Sequence, residues 1–205
     1  MSRLKSSARI SLIRKGSVFV ANPLKPLTAL GNPTAQSDTI GAVTITENPD
    51  TALASLASRL GREAEVASLA ASAGVPLPGP GRAETAGYGA FWLGPEQWMI
   101  EAPFATHEDI TAVLKPIFTD AASITEQTDA WVRFDITASD LPGYFERLCN
   151  FDMARATPGA ATRTVIDHLG CYIIRRSLTL VSLLGPRSSA HSLHHALVTA
   201  ARAIL

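Results

Sequence analysis

Two cysteines in 205 residues leave little for covalent scaffolding. Cys149 and Cys171 stand far apart with no CxxC pair, which argues against a disulfide framework or a thiolate zinc site and fits a reducing compartment. Charge is also sparse. Lys and Arg together number 18, as do Asp and Glu, and the net charge is zero, so no overall field draws nucleic acid or an anionic membrane. Apolar runs are short: those around Ile10, Leu12 and Ile13 and around Val18, Phe19 and Val20 are separated by Arg14, Lys15 and Gly16. They form neither a signal-peptide core nor a spanning helix. The expectation is a cytoplasmic protein with no nucleic-acid and no membrane partner. Aromatic residues make up only 6% of the chain, yet Trp92 and Trp98 fall together in GYGAFWLGPEQWMIEAP (87–103).

That segment reads as strand, tight turn, strand. Ala90 and Trp92 point to one face and Phe91 and Leu93 to the other, so the first strand is apolar on both sides of the pleat. One face closes the chain's own core. The other calls for a second layer, from the same chain or from another protein.

The rest divides into an arm and a regular region. Arg3, Lys5, Arg9, Arg14, Lys15 and Lys25 precede the first acid, Asp38. Residues 1–41 therefore read as an extended basic arm, whose Arg- and Ser-rich composition also matches a transit peptide. From 42 the spacing predicts a strand over 42–47, a helix over 48–61 capped by Asn48 and carrying Leu53, Leu56 and Leu60, and a second helix ending at Gly74. After a loop over 76–82 come the tryptophan hairpin and a helix over 106–118, capped by Thr106 and disturbed by Pro116. The order then resumes: a strand over 130–137, a helix carrying Leu141, Phe145 and Leu148, strands between 162 and 184, and a final helix. Residues 42–205 are thus expected to form one α+β domain of two similar strand-helix-hairpin-helix halves, about 42–127 and 128–205. Its antiparallel sheets are covered by helices.

Motifs for chemistry are scarce. His191 and His195 are four apart, a spacing that can hold a metal, but no carboxylate on the same helix completes a shell. They lie almost opposite the stripe of Leu193, Leu197, Ala200 and Ile204, and so face water or a partner. GPGRAE (79–84) lacks the GxGxxG pattern and its preceding strand, and no GxSxG is present. Glu96, Glu101, Asp135, Asp140 and Asp152 make no acid-base pair by spacing. The expectation is a chain with no catalytic, cofactor-binding or metal site of its own, and with Trp92, Trp98, His191 and His195 as candidate subunit-interface residues.

FWLGPEQWMIEAP resembles the W-L-G-P-[DE]-E-W-L-L segment of the gamma subunit of heterotetrameric sarcosine oxidase. ERLCNFDM (146–153) stands where that family has G-C-P-L-D-L. LLGPRSSAHSLHHAL resembles its closing V-x-R-S-F-A-x-x-L-W-x-W-L helix, with His194 and His195 replacing the terminal aromatics. The resemblance spans roughly residues 42–204 and implies a fold like the folate-binding part of aminomethyltransferases. It further implies an accessory gamma subunit in a complex that demethylates sarcosine to glycine, passes the one-carbon unit to tetrahydrofolate and releases hydrogen peroxide. The FAD, FMN, NAD and tetrahydrofolate sites would belong to the partners: larger alpha and beta flavoprotein subunits, with a small zinc-binding delta subunit. A stand-alone folate-binding aminomethyltransferase-like protein and a subunit of a related N-methyl-amine oxidase are the alternatives. A folate-dependent methyltransferase would need a carboxylate in a central cavity, and sequence does not choose among Asp135, Asp152 and Asp167.

Overall fold

The computed structural model describes residues 25–204. Two antiparallel sheets dominate it. One has the spatial order β1 (Ser37–Ile40), β2 (Val43–Glu47), β8 (Trp131–Ala138), β11 (Leu180–Pro186), β10 (Leu169–Arg175) and β9 (Ala161–Ile166). The other runs β4 (Ala83–Ala86), β5 (Tyr88–Gly94), β6 (Gln97–Pro103), β3 (Thr51–Ser58) and β7 (Ala122–Glu126). The helices are α1 (Glu63–Ala73), α2 (Ile110–Phe118), α3 (Leu141–Phe145) and α4 (Ala190–Arg202).

Strand alternation sorts the side chains into three cores. Ala52, Ala54, Leu56, Trp98 and Ile100 point outward from the five-stranded sheet onto Val66 and Ala70 of α1 and Ile110, Leu114 and Phe118 of α2. Val132, Phe134, Ile136, Ile173 and Leu183 likewise meet Tyr144 and Phe145 of α3 and Leu193 and Leu197 of α4. The opposite parity, with Leu53, Phe91, Met99, Ile174 and Leu184, fills the space between the sheets. The layers therefore run helix, sheet, sheet, helix, and the α+β expectation holds. At one side the sheets join: Arg82 bridges Ala160, and Ala83 N–H donates to the Gly159 carbonyl at 2.8 Å.

Several elements differ from expectation. Residues 51–58 form β3 rather than a helix, because the strand is central, paired with β6 and β7 and covered on both faces. A run buried on both sides has no strand periodicity to read, and pairing overrides the alanine and leucine spacing. Asn48 does not cap a helix; its Oδ1 accepts from Asp50 N–H at 3.1 Å and from the Thr51 hydroxyl at 3.2 Å, a turn that launches β3. The cap of α2 is Asp109, whose Oδ1 accepts from Ala112 N–H at 2.9 Å, while Thr106 lies in a preceding 3-10 turn.

The segment assigned to a basic arm divides. Residues 1–24, with Arg3, Lys5, Arg9, Arg14 and Lys15, lie outside the described residues. Residues 25–36 lead into β1, the edge strand of the six-stranded sheet, and Leu30 is buried in the core that this sheet shares with α3 and α4. The buried Glu47 carboxylate accepts from Leu30 N–H at 3.0 Å and Gln36 N–H at 3.4 Å. β2 belongs by sequence to the 42–127 segment, yet it pairs with β8.

Candidate functional site

At one end of the inter-sheet space the packing turns polar. Arg133 and Asp135 are two apart on β8, so the pleat sends both toward the other sheet. Arg133 holds Asp135 as a fork: Nε to Oδ1 at 2.8 Å and Nη2 to Oδ2 at 3.1 Å. Ser182 Oγ donates to Asp135 Oδ1 at 2.6 Å and Asn48 Nδ2 to Oδ2 at 2.7 Å. From the five-stranded sheet, Glu101 on β6 accepts from Arg176 Nη2 at 2.7 and 2.8 Å and lies 3.7 Å from Arg133 Nη1. Two carboxylates and two guanidiniums thus cancel across the seam.

Close approach of backbone makes room for this seam. A Cβ on Gly89 would come within 2.9 Å of Glu101 Oε2 and 3.1 Å of its Cβ, so a larger residue at this point of β5 would displace the Glu101 carboxylate from Arg176. Beside it opens a groove of about 410 Å³, lined by Thr85, Gly87, Gly89, Glu101, Arg133 and Arg176 among others.

The electrostatics fix the protonation of Asp135. Burial by itself pushes its carboxyl up, but the charge of Arg133 and hydrogen bonds from Arg133, Ser182 and Asn48 prevail and hold it below the usual carboxylate range. A carboxylate so held is a poor general base at neutral pH, where an effective one needs a pKa near the working value. Chemically the seam clamps one sheet to the other and presents a neutral polar wall to the groove.

Of the sequence-predicted interface residues, Trp92 and Trp98 are brought together across the hairpin, whereas His191 and His195 stand on α4. Trp98 belongs to the chain's own core: it is 8% exposed, and its indole Nε1 donates to the Pro78 carbonyl at 2.8 Å. It is therefore no free anchor for a partner, because the loop over 76–82 covers it. Trp92 pairs with Trp98 across the hairpin and packs, partly buried, against the same helix-covered cluster. His191 and His195 are exposed on α4. Between them His194, not singled out by spacing, turns inward to Asp38 of β1, Nε2 to Oδ2 at 2.8 Å. Among the described residues no group of three or more His, Cys, Asp or Glu could hold a metal ion. Of the other candidate carboxylates, Asp152 and Asp167 are exposed.

Sequence reasoning missed the seam. The usable signal was Arg133 and Asp135 at alternate positions of a strand whose other face is wholly apolar. Glu101 and Arg176, 75 residues apart, gave none.

No protein-family profile and no curated protein sequence matches the chain. Solved structures do. Heterotetrameric sarcosine oxidase from Corynebacterium sp. U-96, in complex with pyrrole 2-carboxylate, includes a chain that aligns with a TM-score of 0.67 at 20% identity, over 80% of this chain and 86% of that one. The glycine cleavage system aminomethyltransferase T from Bartonella henselae aligns at 0.55 with 11% identity, over 76% of this chain and 48% of that one. The likeness is one of fold. This chain spans most of the matched sarcosine oxidase chain but only about half of the aminomethyltransferase.

Proposed function

We propose that this chain is an accessory, gamma-type subunit of a sarcosine-oxidase-type complex, assembled with larger flavoprotein subunits of alpha and beta type and a small zinc-binding delta subunit. In this reading the complex demethylates sarcosine, passes the one-carbon unit to tetrahydrofolate and releases peroxide in the cytoplasm. FAD, FMN, NAD and tetrahydrofolate are bound by the partners. The observation that carries the reading is the likeness of fold, over 80% of this chain and 86% of the other, to a chain of heterotetrameric sarcosine oxidase. The W-L-G-P-like hairpin supports it, as does the clamped state of Asp135, which suits a structural clamp better than a base.

The same reading treats the fold as a duplication. The orders β4-β5-β6-β3-β7 and β9-β10-β11-β8-β2 correspond strand for strand, with β2 supplied from the front of the chain where β7 follows α2. His191 and His195, exposed on α4, remain the candidate contacts for a partner. A second reading, a folate-binding protein of the aminomethyltransferase type, draws on the groove and on Asp135 facing the inter-sheet space. The experiment is an absorbance spectrum and a peroxide assay on the purified chain with sarcosine and dimethylglycine. A colourless, inactive chain is expected. Bound flavin, or peroxide formed by the chain alone, would overturn the accessory role, and tight tetrahydrofolate binding by the isolated chain would favour the second reading.

A further inference from the structure

A second cavity, of about 290 Å³, takes no lining residue from the tryptophan hairpin and is covered on one side by the segment 26–33. Its roof is fixed. Arg187 Nη2 donates to the Leu27 carbonyl at 3.2 Å, and Glu47 holds Leu30 N–H. The interior is mainly apolar, with Leu27, Leu53, Phe104, Trp131 and Val132 on its walls. The polar groups at its inner end are already satisfied: Thr51 accepts from Arg133 Nη1 and donates to Asn48, and Arg133 is neutralised by Asp135.

The lining also includes the Glu47 carboxylate, which is occupied by the Leu30 and Gln36 N–H groups, and a further cation and anion, Arg187 and the exposed Asp129, that do not pair with each other. Asp129 stands on the 3-10 turn Thr128–Ala130, and Arg187 opens the adjacent 3-10 turn Arg187–Ser189. Among the described residues Asp129 has no ion-pair or hydrogen-bond partner for its carboxylate, and Arg187 spends one donor on the Leu27 carbonyl. An apolar interior with a separated positive and negative group complements an apolar body that carries both an ammonium and a carboxylate.

We propose that this cavity binds a free α-amino acid with an apolar side chain, its carboxylate on Arg187, its ammonium on Asp129, and its side chain among Leu53, Trp131 and Val132. At about 290 Å³ the volume lies just below the roughly 300–1,000 Å³ usual for ligand cavities, which admits a small metabolite and excludes a dinucleotide. The inference does not depend on membership of an oxidase complex.

The test is a calorimetric and saturation-transfer titration of the full chain with L-leucine and L-phenylalanine, alongside two leucine analogues, 4-methylpentanoate without the ammonium and 3-methylbutylamine without the carboxylate. The amino acids should bind, and each single-charge analogue should bind about tenfold more weakly, the scale of one lost charge-assisted hydrogen bond. Asp129→Asn should abolish the advantage over 4-methylpentanoate, and Arg187→Gln the advantage over 3-methylbutylamine. Arg187→Lys should retain most of the affinity, and unchanged circular dichroism separates these effects from loss of the roof. Absence of amino-acid binding at millimolar concentration, equal binding of the analogues, or binding that survives both Asp129→Asn and Arg187→Gln would overturn the assignment.

Discussion

Asp135 is ionised at neutral pH because Arg133, Ser182 and Asn48 outweigh the burial that opposes it. Its folded pKa lies below the unfolded value of about 3.9, so its contribution to stability is fully present above that value and is lost as pH falls through the folded one. Asp135→Asn should therefore flatten the acid limb of a stability profile followed by circular dichroism. At neutral pH it should cost about 3–5 kcal/mol, because Arg133 is left part-buried without its fork partner. An unchanged acid limb would contradict the clamp. Arg175 is buried differently: among the described residues its guanidinium reaches only carbonyls, those of Met153, Ala156, Ser177 and Leu178. It pins the 150–160 loop to the end of β10. Arg175→Leu should strand those acceptors at about 1–3 kcal/mol for each that stays dry, and hydrogen exchange should rise first in that loop. Cys171 is enclosed and its thiol is pushed up to about 11, so a thiol reagent should label half-buried Cys149 first in the native chain.

Elements with a local cause were legible in sequence, and those with a distant cause were not. α1 was readable from its repeat and from Gly74, which ends it at φ 68, the left-handed conformation glycine accepts without strain. The hairpin was readable from Gly94-Pro95, and Trp92 does stand opposite Trp98. Which face that pair meets was not, since α1, α2 and the loop over 76–82 arrive from elsewhere in the chain to cover it. The same holds for β3, whose identity depends on β6 and β7, and for His194, whose partner Asp38 is 156 residues away. Trp98→Ala should thus behave as a core truncation, costing about 3–5 kcal/mol in thermal or denaturant unfolding of the isolated chain. Normal stability with lost partner binding would return Trp98 to an interface. Gly185 of β11 tests the opposite sheet: a side-chain carbon there would collide with buried Leu193 of α4, so Gly185→Ala should cost about 1–3 kcal/mol by overpacking.

At the scale of the whole molecule, two helix-covered sheets enclose an apolar centre that gives way to a charge-balanced seam. The sheets are joined at the Arg82–Ala160 bridge and clamped through Glu101 and Arg176. The resemblance of the hairpin to a gamma subunit implied a fold of this kind. Side-chain spacing gave the helix-covered antiparallel sheets but not the seam, because Glu101 and Arg176 meet from positions 75 residues apart in the chain. The accessory role is tested most directly by co-expressing the full chain, tagged, with the alpha and beta flavoprotein subunits of a sarcosine-oxidase-type complex and isolating it by affinity and size-exclusion chromatography. The account predicts one stoichiometric peak in which this chain co-elutes with flavin absorbance contributed by the partners. A colourless chain eluting alone, with the flavoproteins assembling fully without it, would contradict it.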